Sequence, residues 1–99
     1  MAKVKVRAEI LSQECLCDDI FSMWLRAPEI AAQSVPGQFA DLYSRDGSRL
    51  LPRPISLCEI NREEGSLRLV YRIAGAGTRE FSALKEGDWL EVLGPLGNG

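Results

Sequence analysis

The chain has 99 residues, enough to close one hydrophobic core and too few for a core plus a second nucleotide-binding domain, so one domain is expected. Nine Arg and three Lys stand against five Asp and nine Glu, a net charge of -2 with no block of like charge, which argues against binding a polyanion. No apolar run exceeds three residues, so neither a transmembrane helix nor a secretory segment is read, and the expected location is cytoplasmic.

Histidine is absent. That removes the commonest proton-transfer side chain near neutral pH and most zinc sites, so any chemistry falls to a bound cofactor. Cys15, Cys17 and Cys58 are odd in number and lack the spacing of an iron–sulfur or disulfide framework; they are expected as small core residues.

In chain order, Val4, Val6, Ala8 and Ile10 alternate with Lys3, Lys5, Arg7 and Glu9, the period of a half-buried strand. Asp18 and Asp19 make a turn, and residues 20–27 form a second strand that pairs back as a hairpin and stops at Pro28. Pro36 and Gly37 turn the chain into a third strand, 38–43, which ends at the polar segment 44–48. A fourth strand covers 53–60 and a turn covers 61–65. In the fifth, Leu67, Leu69, Tyr71 and Ile73 alternate with Arg68, Val70 and Arg72.

One helix follows, with Thr78 as its cap, Phe81 and Leu84 on one face, and Gly87 as its stop. The sixth strand covers 88–93. Residues 94–99, with three Gly and one Pro, have the composition of a linker, so the domain is read as 1–93. Six short strands with frequent turns predict an all-β fold, a small antiparallel barrel, with Trp24, Trp89, Phe21 and Phe81 in its core.

Three segments could carry binding. Gly75-Ala76-Gly77-Thr78 leads into the helix, where glycines permit close backbone approach and free amides suit an anion; the same residues also serve as a plain chain reversal. It is not a Rossmann fingerprint, because the third glycine position is Glu80. Arg53-Pro54-Ile55-Ser56 opens a strand with a planar guanidinium and a hydroxyl suited to phosphate, or simply with a solvated charge. Val70-Tyr71-Arg72 ends the fifth strand with a ring and a second Arg, or with a core Tyr beside a surface Arg.

Together these segments, with Gly-Asp-Trp-Leu-Glu-Val-Leu-Gly-Pro-Leu-Gly-Asn-Gly at 87–99, resemble the FAD-binding domain of the ferredoxin reductase superfamily, and within it the electron-transfer subunits of bacterial type B dihydroorotate dehydrogenases. The resemblance implies a six-stranded antiparallel Greek-key barrel with FAD along one side. It implies that Arg53, Pro54, Ile55 and Ser56 contact flavin and pyrophosphate, that Val70, Tyr71 and Arg72 line the cofactor, and that Gly77 and Thr78 offer helix-end amides to phosphate. Ile55 replaces the aromatic residue many relatives carry, so no ring stacks on the flavin from that position.

The resemblance further implies an NAD-dependent oxidoreductase whose FMN-containing catalytic subunit sends electrons through a [2Fe-2S] centre to FAD and on to NAD, in pyrimidine biosynthesis. The NAD-binding and [2Fe-2S] regions are expected beyond these residues, and the 99 residues alone are expected to be inactive. Flavin subunits of sulfide and NADH-dependent ferredoxin oxidoreductases share these motifs and remain an alternative, as does a cofactor-free barrel that binds a ligand or docks onto a partner.

Overall fold

The alternation at the start of the chain builds β1 (Val4–Cys17), whose inward residues Ala8 and Ile10 are fully buried. The other strands are β2 (Ile20–Arg26), β3 (Phe39–Tyr43), β4 (Arg53–Asn61), β5 (Ser66–Arg72) and β6 (Trp89–Leu96). They close an antiparallel barrel in the order β1-β2-β5-β4-β3-β6, a Greek-key path in a computed structural model that describes residues 3–43, 52–73 and 76–98, with the backbone only at 76 and 77. The barrel is filled by Met23, Leu25, Leu42, Leu67, Leu69, Leu90 and Val92, each without solvent exposure and each worth about 1.5 to 3 kcal/mol of burial.

Closing the barrel leaves two open ends, and a short helix sits at each. The first, α1 (Pro28–Ala31), was not expected from the sequence. Proline's fixed φ suits a first helical turn, and Ile30 and Ala31 turn inward to plug the floor. Around it the Ser34 hydroxyl donates to the Ile30 carbonyl at 2.7 Å, and Arg62 donates to the Ser34 carbonyl. The Gln38 side chain accepts from the Val35 amide at 2.9 Å and donates to the Gly97 carbonyl at 2.8 Å. The β4–β5 turn closes over the same floor through Gly65, at φ +69°. A Cβ there would stand 2.8 Å from that of Pro28.

The second helix, α2 (Ala76–Ser82), lies between β5 and β6 where one was expected, but its ends differ. Thr78 is the third residue of the helix and buried, so it is not the cap. Gly87 lies past the helix, in the turn that leads into β6, where its φ of +92° is needed.

Three further expectations change. β6 continues to Leu96 instead of stopping at 93: Gly94 pairs with Val4, and both Gly94 and Pro95 are buried. The small residue is required there because a Cβ on Gly94 would press to 3.3 Å from Ala40. Trp24 and Trp89 stand on the outer face, Trp89 under the Arg7 guanidinium at 3.8 Å, while Phe81 is in the core and Phe21 packs against it. Cys15, Cys17 and Cys58 are free and exposed, because they fall on the hairpin tip and the outer side of β4. The expected turn at 44–48, and Gly75, lie outside the described residues.

Candidate functional site

β4 and β5 run antiparallel with Leu57 opposite Leu69, so the residues before Leu57 and those after Leu69 occupy the same end of the ladder. The 53–56 and 70–72 segments are thereby brought side by side at the α2 end of the barrel. Their side chains divide between two faces. Pro54, Ser56 and Arg72 are exposed and Val70 is half-buried, on the outside, whereas Ile55 pairs with Ala40 and packs on the core, and Tyr71 pairs with Phe21. Arg53, opposite Leu42 at the rim, is exposed.

Of the two readings the sequence left open for Tyr71, the ring takes the core position. It is 4% exposed, stacked on Phe21 with centroids 5.9 Å apart and met edge-on by Phe81 at 6.4 Å. Its hydroxyl donates to Gln13 Oε1 at 2.5 Å. Burial raises its pKa above the ordinary phenol range, because the charged form would lose its hydration there. The side chain is thus turned away from the outer face that carries Val70 and Arg72. The contact between Phe81 and Tyr71 also fixes α2, and with it Gly77 and Thr78, beside the end of β5.

The arginines show where charge is left available. Arg7 lies over Trp89, Arg26 is 3.9 Å from Glu9, Arg62 donates to Ser34, and Arg68 bonds Glu59 at 2.7 Å and Ser22 at 2.8 Å. Arg53, Arg72 and Arg79 find no hydrogen-bonding or charged partner for their side chains among the described residues, and all three are exposed at the α2 end. Three exposed guanidinium groups around one rim, unneutralised by any described residue, suit a ligand with more than one negative charge, and a dinucleotide pyrophosphate fits that requirement.

One participant was missed in the sequence. Gln13 stands in a stretch that reads as solvent-facing if the period of Val4 to Ile10 is continued. A bulge between Ile10 and Ser12 reverses the phase of β1, so Gln13 pairs with fully buried Met23 and points into the barrel mouth. No sequence pattern marks that bulge. An open cavity of about 270 Å³, lined by Pro36, Leu57, Cys58, Glu59, Ile60 and Arg62, lies farther along β4 and includes none of the expected site residues. Among the described residues no group of three or more His, Cys, Asp or Glu is arranged to hold a metal, and no helix is long and apolar enough to cross a membrane.

No family model matches the chain. Over 97% of its length it is 44% identical to the dihydroorotate dehydrogenase B (NAD(+)) electron transfer subunit of Streptococcus mutans serotype c. The chain is a relative of these electron transfer subunits. It spans 37% of that subunit's length. Among solved structures, the NADH-dependent reduced ferredoxin-NADP oxidoreductase matches 92% of the chain at a TM-score of 0.86 and 33% identity, over 33% of its own chain. The ferredoxin reductase of carbazole 1,9a-dioxygenase, in its FAD apo form, matches 96% at a TM-score of 0.74 and 26% identity, over 30% of its own chain. The electron transfer subunit's relative thus has the six-stranded barrel of the ferredoxin reductases, as its motifs implied.

Proposed function

We propose that this barrel binds FAD as the cofactor domain of a dihydroorotate dehydrogenase electron-transfer subunit. The observation that carries the reading is the meeting of 53–56 and 70–72 on adjacent strands, at the end of the barrel where the exposed side chains of Arg53, Arg72 and Arg79 have no partner among the described residues. When bound, FAD would supply the redox chemistry, handing to NAD the electrons that an FMN-containing catalytic subunit sends through a [2Fe-2S] centre. On this reading the NAD and [2Fe-2S] sites belong to the part of the relatives' length that the chain does not span.

The chain's own part is to bind and orient. Arg53 and Arg72 neutralise the pyrophosphate, with the first-turn amides of Gly77 and Thr78 as further donors. Pro54 holds the start of β4 extended, so that the Ser56 hydroxyl and the flank of Val70 meet the cofactor on the outer face. Ile55 and Tyr71 support from inside, their side chains in or against the core. The 33% likeness to the NADH-dependent ferredoxin-NADP oxidoreductase supports a second reading, in which the same FAD-binding surface serves a ferredoxin or sulfide oxidoreductase subunit.

Titration of the purified chain with FAD and with FMN tests the binding claim, because only FAD carries the pyrophosphate. Tighter binding of FAD is the expected result. No binding, or equal affinity for the two, would overturn it.

A further inference from the structure

At the mouth of the barrel at the α2 end one polar side chain, Gln13, bonds three groups from separate parts of the chain. Gln13 Nε2 donates to the Phe81 carbonyl at 2.9 Å and to the Leu84 carbonyl at 2.7 Å, while its Oε1 accepts from the Tyr71 hydroxyl at 2.5 Å. An amide has two N–H groups and one carbonyl oxygen, so all of its donors and its acceptor are engaged. The partners come from different parts of the chain. Phe81 lies in the last turn of α2 and Leu84 two residues past its end; the Phe81 carbonyl also accepts from the Leu84 amide at 3.1 Å, so Gln13 adds a bond at the point where the helix closes. Tyr71 is the penultimate residue of β5, and Gln13 itself belongs to β1.

We infer that Gln13 is the positioning residue of the FAD site, tying α2 and the end of β5 to β1 so that Arg79 on the helix and Arg72 beside Tyr71 are held at a fixed separation. The inference rests on the FAD reading above. Gln13 touches no cofactor; it acts through the groups it holds. Two other contacts support the geometry. Phe81 meets Tyr71 edge-on, so apolar packing already brings helix and strand together, and the Gln13 bonds then fix their register. β1 is anchored nearby from the other side, since the Gly87 amide donates to the Ile10 carbonyl at 2.9 Å and the Ile10 amide donates to the Asp88 carbonyl at 2.8 Å. Gln13 therefore pulls α2 against a strand that is itself held at Ile10, just before the bulge.

The test compares the unaltered chain with Gln13→Leu and Tyr71→Phe, reading FAD affinity by titration and amide hydrogen exchange residue by residue. Gln13→Leu removes all three bonds at similar volume. It should weaken FAD binding by about tenfold and speed exchange in α2 while the strands stay protected. Tyr71→Phe keeps both bonds to α2 and should lose only about threefold; it keeps the question open to experiment if Gln13→Leu does not fold. Unchanged FAD affinity in either folded variant, or α2 amides as protected as before in Gln13→Leu, would overturn the inference. An unaltered chain that binds no FAD overturns the cofactor reading itself, whereas an unaltered chain and Gln13→Leu that bind it equally overturn only the role of Gln13.

Discussion

The two ends of the barrel use the same device for different purposes. At each, a glutamine side chain satisfies main-chain groups that the strands cannot: Gln38 bonds Val35 and Gly97 beside α1, and Gln13 bonds Phe81 and Leu84 beside α2. At the α1 end the nearby guanidinium of Arg62 is used on the Ser34 carbonyl, and Ile30 and Ala31 seal the floor. At the α2 end Arg53, Arg72 and Arg79 have no side-chain partner among the described residues. Equal polar satisfaction of the backbone, with charge consumed at one end and not at the other, separates a structural floor from a binding rim.

The comparison is broken most forcefully at the floor. Ile30→Ala empties a site with no solvent exposure and should cost about 2 to 5 kcal/mol of stability in chemical denaturation, while FAD affinity of the folded fraction stays the same. A loss of affinity as large as the loss of stability would show that the ends are not independent. Next in size is Arg53→Ala, the mirror experiment, expected to cost about 1.5 to 3 kcal/mol of FAD binding in calorimetry and to leave the melting temperature within a degree or two of the unaltered chain, since the side chain is exposed and has no partner among the described residues. Third is Gly65→Ala. Positive φ and the approach of Pro28 both oppose a Cβ, so about 1 to 3 kcal/mol of stability should be lost, again with affinity untouched.

What was legible in the sequence follows the same division. Strands whose side chains alternate strictly, such as Val4 to Ile10 and Leu67 to Tyr71, were readable because a two-residue period is the direct consequence of having one buried face. The segments at 53–56 and 70–72 were readable too, and the fold does set them together. Phase was what failed. The bulge at Leu11 turns Gln13 inward against the established alternation, whereas Tyr71 keeps the phase of Leu67 and Leu69 and is buried as that alternation implies. α1 escaped because four residues are shorter than the window in which helical period can be seen, and its stability comes from Ile30 and Ala31 meeting the core. Gly94 and Pro95 read as a linker by composition, yet close approach to Ala40 is what makes a small residue necessary there.

Tyr71 gives the smallest expected effect and the one that sharpens the comparison without touching the charged rim. Burial raises its pKa in the folded chain, so above the ordinary phenol value of about 10 the unfolded chain releases a proton that the folded chain keeps. The unfolded state then binds fewer protons, and stability must fall as pH rises: the contribution is whole below about pH 10 and declines by about 1.4 kcal/mol for each further pH unit until the folded-state value is reached. Tyr71→Phe has no such proton. Urea denaturation of both proteins between pH 9 and 11 should therefore show, on the pH 10 to 11 limb, a decline about 1 kcal/mol larger for the unaltered chain, because the unfolded phenol is only half ionised at the start of that limb. Parallel declines would mean that the Tyr71 hydroxyl reaches water in the folded state, and that the α2 end is more open than the bonds of Gln13 allow.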